Sequence, residues 1–163
     1  MIERILRGAG AGATAGAAGT TALNAVTYLD MTLRGRESSG APASTVERVA
    51  AKANVDIPGE ESARSNRLSG AGALSGIVTG LTVGAVYGAT RAAGLRLPLP
   101  AAALVTAAAA MLAADGPMAL LKVSDPRSWG WQDWAGDVIP HAAYGLVTAT
   151  CADALDGQPG EAT

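Results

Sequence analysis

Charged side chains cut this chain into long uncharged runs separated by polar stretches. Between residues 8 and 29 the only ionisable group is the phenol of Tyr28. A second run, 68–90, lies between Arg67 and Arg91. A third, 97–121, is broken once by Asp115, and a fourth, 134–152, contains Asp137 and His141. A helix needs about 20 mostly apolar residues to cross a hydrocarbon layer of about 30 Å. Glycine costs a helix about 1 kcal/mol relative to alanine in water. In lipid the backbone must satisfy its own hydrogen bonds, which enforces helix regardless. The pattern predicts helices at about 5–31, 66–92, 98–122 and 132–154. The expected fold is all-α, a four-transmembrane-helix bundle forming one domain over 1–156, with a flexible tail at 157–163.

A polar segment, about 32–65, separates the first two runs. It holds the loop signals Ser38-Ser39-Gly40-Ala41-Pro42 and Ile57-Pro58-Gly59-Glu60-Glu61. Between them Ser44-Thr45-Val46-Glu47 has the form of a capping box. Val46, Val49, Ala50 and Ala53 follow at helical spacing, so a short amphipathic helix is expected near 45–54, at the membrane surface. The first run contains Ala-x-Ala triplets, but no compact Leu-rich core precedes them. It reads as a retained helix and not as a cleaved leader.

Composition strengthens the membrane assignment. Only 16% of residues are charged, against about 25% in ordinary soluble proteins. There is no Phe, and Trp and Tyr number three each, so the bulky side chains that fill a soluble core are scarce. Disorder would need low hydrophobicity and high net charge, whereas 49% of the chain is hydrophobic and the net charge is −2. That charge also leaves no electrostatic footprint for nucleic acid. One cysteine, Cys151, excludes an intramolecular disulfide, and one histidine, His141, excludes a multi-histidine metal centre within the chain.

Glycine spacing is the most ordered feature. Gly72, Gly76, Gly80, Gly84 and Gly88 recur every four residues, as do Gly8, Gly12 and Gly16. Positions four apart share one helix face. A face without side chains lets another backbone approach, which is how helices associate in lipid. Glycine-zipper packing along the second helix is expected, its groove filled either by the first helix of the same chain or by a second copy in a homo-oligomer.

The ionisable groups inside the runs cluster toward one surface. Asp115, Asp137 and His141 fall at similar depth, 5–12 Å below the side carrying the long loop, taking about 1.5 Å per residue. Asp137 and His141 are four apart on one helix face, with Tyr144 one turn further. Asp30 ends the first helix near that side. Buried charges in membranes usually mark function. Three uses stay open. One is a structural network, with Asp137 holding His141 and Asp30 paired to Arg64 or Arg67. Another is a proton or cation path through a histidine that titrates near neutrality. The last is a metal or headgroup site built from Asp30, Asp115, Asp137 and His141, although the spacing specifies no metal. Asp115-Gly116-Pro117 is expected to kink or break the third helix. Trp129, Trp131 and Trp134 form an expected interfacial belt. The long loop and the last loop carry eight Lys and Arg residues against four elsewhere, favouring the loop inside and both termini outside, although Arg4 and Arg7 pull the other way.

No catalytic motif is legible: Gly-x-Ser-x-Gly, a phosphate loop and His-Glu-x-x-His are all missing. The Gly8-Ala9-Gly10-Ala11-Gly12 stretch lacks the preceding strand of a dinucleotide site. No enzyme activity and no cofactor are expected. The Gly-rich first helix (8–19), the Gly-rich second helix and the late His141-Ala142-Ala143-Tyr144-Gly145 resemble small four-helix bacterial inner-membrane proteins of the YagU type. The resemblance implies a multi-pass location and carries over no functional residue. The expected function is structural or interactive: a multi-pass protein whose partners are the lipid bilayer and a second copy or a membrane-protein complex. The alternative is a small proton or cation channel or transporter using Asp115, Asp137 and His141.

Overall fold

A computed structural model describes residues 1–156; the tail expected to be flexible, 157–163, lies outside the described residues. Among those residues the chain is all-helical, with no strand. Five α-helices follow one another: α1 (Ile2–Arg34), α2 (Ala41–Lys52), α3 (Glu61–Ala92), α4 (Leu99–Leu120) and α5 (Trp131–Asp156). A single 3-10 turn, Pro126–Ser128, precedes α5.

Several boundaries differ from the sequence expectation, each for a local reason. α2 begins at Ala41 and not near 45, because Pro42 presets the helical φ in its first turn. The capping box is therefore not used. Thr45 lies inside the helix and donates to the Ala41 carbonyl, 2.8 Å away, while Glu47 turns outward to Arg64. α2 stops where Asn54 takes a left-handed conformation, φ 53°, one that asparagine tolerates. α1 stops in the same way at Gly35, φ 62°. The expected break at Pro117 does not occur: α4 continues through it to Leu120. The proline sits so near the end that only one internal backbone bond, to Ala113, is removed.

α1 packs along both α3 and α5; α4 packs along α5 and also touches α3, and α2 packs against α3. Gly8 faces Ala92 while Gly16 faces Gly80, so α1 and α3 are antiparallel. Arg91, at the end of α3, bonds Asp153 and Asp156 at the end of α5, so these two helices run parallel.

The distribution of side-chain size is inverted relative to a water-soluble bundle. The interior is mostly Gly, Ala and Thr with the ring of Tyr144. Leu68 is the one large aliphatic residue buried among the described residues, and Pro140, His141 and Arg91 are buried as well. Large aliphatic residues point outward: Leu74, Ile77, Val78 and Val86 on α3, Val105 on α4 and Leu146 on α5, with Leu104 72% and Leu112 74% exposed. α3 and α4 are each long and apolar enough to cross a membrane, yet only 17% of the most apolar 18-residue stretch in either is buried within the molecule. The chain exposes 10230 Å², whereas a compact soluble monomer of its mass exposes about 7,400 Å². Outward hydroxyls are satisfied within their own helices. Thr14, Thr21, Thr82 and Thr150 each donate to the carbonyl four residues back, at 2.7–3.2 Å.

Candidate functional site

Two arrangements dominate the interior: a backbone-to-backbone seam, and a small polar cluster between α4 and α5. In the seam, α1 presents Gly8, Gly12 and Gly16 to Gly80, Gly84 and Gly88 of α3. A methyl group added at Gly88 would lie 2.7 Å from Gly12 Cα, and one at Gly84 would lie 2.7 Å from Gly16 Cα. Both separations are below ordinary van der Waals contact, so no side chain fits there. The five-glycine row of α3 is not one continuous surface, however. Gly72 faces the start of α2, where an added methyl group would lie 2.8 Å from the Ala43 nitrogen, and Gly76 has open space in front of it. A register of four drifts slowly around a helix of 3.6 residues per turn; over the row it turns Gly72 and Gly76 away from α1.

Sequence reasoning missed a second seam. Gly19 of α1 carries Thr148 and the Tyr144 ring, and Gly145 of α5 meets Ala103 and Ala107 of α4. Gly19 is three residues after Gly16, outside the four-residue register, and therefore faces α5 instead of α3. Tyr144 links the two seams. Its ring is 1% exposed and its hydroxyl donates to the Gly80 carbonyl across the bundle, 2.6 Å away. Tyr144 thus belongs to the packing hub and not to the polar cluster that its spacing suggested.

The cluster itself joins three of the candidates. His141 is 8% exposed. Its Nδ1 lies 2.9 Å from the backbone carbonyl of Asp137 and 3.2 Å from Asp137 Oδ1. Both are acceptors, so Nδ1 carries the proton and a neutral ring keeps its lone pair on Nε2. Asp115 lies on α4, the helix packed against α5, within electrostatic reach of Asp137 and His141. Asp137 Oδ2 is buried without a hydrogen-bond partner. Among the described residues no Lys or Arg pairs with any of the three, and no group of three His, Cys, Asp or Glu side chains is arranged to hold a metal ion.

Asp30 does not join them. Arg36 and Arg34 bond its carboxylate, and the expected pairing with Arg64 or Arg67 is not formed. Arg64 bonds Glu47 at 2.6 Å, and Arg67 donates to the Pro58 carbonyl, because the fold of α2 along α3 brings those acceptors closer. The tryptophans gather beside the start of α5. Trp129 and Trp134 stack edge to face with centroids 5.1 Å apart, Trp129 Nε1 donates to Ser124, and Trp131 is open to the surroundings.

The other end of the bundle carries a cluster that the charge pattern did not reveal. Arg91 is buried and bonds Asp153 at 2.6 Å, Asp156 at 2.8 Å and the Tyr87 hydroxyl at 3.0 Å. Its acceptors come from the last turn of α5, a long-range pairing that local sequence does not mark. No family model, curated protein or solved structure matches this chain.

Proposed function

We propose that this chain is a multi-pass membrane protein whose four long helices, α1, α3, α4 and α5, each span the bilayer, and whose role is structural or interactive. The inverted side-chain distribution carries this reading. Burying a Leu or Val is worth about 1.5–3 kcal/mol in water, so a water-soluble chain turns such residues inward. Here most of them face out, Leu68 excepted, while glycine, alanine and threonine make up most of the interior. The arrangement suits a solvent of hydrocarbon, in which close backbone contact drives helix association.

The lengths of the long helical segments support the same reading, with Asp115 inside α4 and Asp137 inside α5. At 1.5 Å per residue, Arg7 to Asp30 on α1 rises about 34 Å, Arg67 to Arg91 on α3 about 36 Å, and Asp133 to Asp153 on α5 about 30 Å. α4 measures about 33 Å from end to end. All four match a hydrocarbon thickness of about 30 Å. The ends of α1, α3 and α5 are level at one boundary, since Gly8 abuts Ala92 and Arg91 bonds Asp153. The α1–α3 seam is the glycine zipper of this reading, made within one chain. A second copy would have to dock on another surface.

Membrane fractionation tests it. The untagged protein is expected to stay with the membrane pellet through alkaline carbonate and to be released only by detergent. Recovery of a folded monomer in the aqueous supernatant would overturn the proposal.

A further inference from the structure

We propose that α2 is a docking surface for anionic phospholipid. It is a half-helix that re-enters the bilayer beside α3, with its uncharged first half among acyl chains and Arg48 and Lys52 at the headgroup phosphates. The inference rests on the membrane reading and adds a partner to it. A methyl group placed on Gly72 would lie 2.8 Å from the Ala43 nitrogen and 3.0 Å from the Pro42 carbonyl carbon, so the first turn of α2 sits at the depth of Gly72. Gly72 comes five residues after Arg67, about 7.5 Å below that boundary. Glu47 bonds Arg64, on the outer side of Arg67. The chain therefore enters α2 at its deep end and climbs along α3 toward water; it does not lie flat on the surface as its amphipathic pattern suggests. Its side chains follow that course. From Ser38 to Val46 none is charged, and charges resume at Glu47, Arg48 and Lys52. The deep end is also poor in free donors. The Ala41 N–H is taken by Ser39 Oγ at 3.2 Å, Pro42 has none, and the Ser44 N–H bonds the Gly40 carbonyl at 3.0 Å. A helix start placed in hydrocarbon needs its donors met in this way.

The two sides of α2 differ. Ala43 and Glu47 face α3. Thr45, Arg48, Val49 and Lys52 follow the spacing of a single helix face, and it is the opposite one. Arg48 and Lys52 are exposed and Val49 is 52% exposed. Among the described residues neither cation pairs with a carboxylate. Glu47, the one acid of the helix, is turned to Arg64. Two cations flanking a valine at the boundary complement a phosphate with an acyl chain beneath it. A zwitterionic headgroup brings its own ammonium and offers no net charge to attract them.

The full chain in vesicles tests it, with Cys151→Ser removing the native thiol so that one introduced cysteine carries the reporter. Spin labels on Val46→Cys and Ala53→Cys are expected to differ: the first is relaxed by oxygen, as in hydrocarbon, and the second by an aqueous nickel chelate. Bimane on Val49→Cys reports the lipid. In equimolar phosphatidylcholine and phosphatidylglycerol, quenching should favour brominated phosphatidylglycerol by about fivefold or more, the effect of one basic residue near an anionic surface. Arg48→Gln combined with Lys52→Gln should abolish the preference and Arg48→Lys should keep it. Bimane on Leu104→Cys, on the outer face of α4, should show none. A Val46 label as open to the chelate as the Ala53 label overturns the proposal. So does equal quenching by the two lipids at Val49, or an equal preference at Leu104. The measurements at Val46 and Val49 keep both basic residues, so they decide even if the glutamine variant misfolds. A protein found in the aqueous fraction sinks the membrane reading, whereas a membrane-retained protein with its Val46 label in water sinks this site alone.

Discussion

Gly84 and Gly88 lie so close to Gly12 and Gly16 that a single methyl group cannot be inserted without moving a helix. Gly84→Leu is therefore expected to lower stability by about 3 kcal/mol or more, the upper range for overpacking, as read by thermal unfolding in detergent. Gly76→Leu serves as its partner measurement. The same change two residues short of Val78, in front of open space, should shift stability by no more than about 0.5 kcal/mol. Equal effects at the two positions would contradict the seam. Tyr144→Phe removes the donor to the Gly80 carbonyl while leaving the ring in place. A loss of about 1 kcal/mol is expected, the usual net value of one hydrogen bond. At this scale the sequence was informative but incomplete. Periodicity singled out Gly80, Gly84 and Gly88, since a strict spacing of four implies a face. It did not separate them from Gly72 and Gly76, because spacing alone does not say where along the row the drift carries it off the neighbouring helix. Gly19 escaped notice because a lone glycine off the register carries no pattern.

The helices raise a different question, which is what fixes each one to its neighbours when so few large side chains are buried. α2 is held by its first turn, where Pro42 and Ala43 sit over Gly72, and by the Glu47–Arg64 ion pair at 2.6 Å. Gly72→Val should lift α2 from α3 and speed limited proteolysis between residues 35 and 60, while the α1–α3 seam stays intact. Unchanged cleavage would show that α2 is held by something else. The end of α5 is fixed instead by charge. Arg91→Met should raise amide hydrogen exchange in the last two turns of α5. The expected increase is modest, because Asp153 and Asp156 are partly exposed and exposed pairs are worth about 1 kcal/mol at most. α1 and α3 were legible from uncharged runs of more than 20 residues, and α4 and α5 from runs interrupted by Asp115 and by Asp137. The start of α2 was not, because a proline at 42 and a capping motif at 44–47 compete for the same helix end. The Arg91 clamp was beyond reach, because its partners lie more than 60 residues away.

The whole molecule is best probed by asking which solvent its outer surface prefers. Leu104 and Leu112 stand on the outer face of α4. In a water-soluble protein, exchanging either for Lys would be harmless and would aid solubility. Under the membrane reading, Leu112→Lys should impair insertion by about 2.5–3.5 kcal/mol, the cost of a basic residue near the centre of a spanning helix. A glycosylation-reporter insertion assay measures it, and unimpaired insertion together with higher aqueous yield would favour the opposite view. Depth and spacing put Asp115, Asp137 and His141 on facing stretches of α4 and α5, two helices that do pack together. Tyr144 and Asp30 were wrongly grouped with them, since equal depth does not distinguish one side of a bundle from another.

An interior built from backbone and methyl groups also has a consequence for variation. In familiar proteins the outside drifts freely in chemistry and the inside in shape. Here the permissions are exchanged. A library randomised along α1 and α3 should recover almost any greasy residue at Leu74 or Val78 but only the smallest side chains at Gly12, Gly16, Gly84 and Gly88. Anyone engineering this chain has a wide choice of exterior and nearly none within.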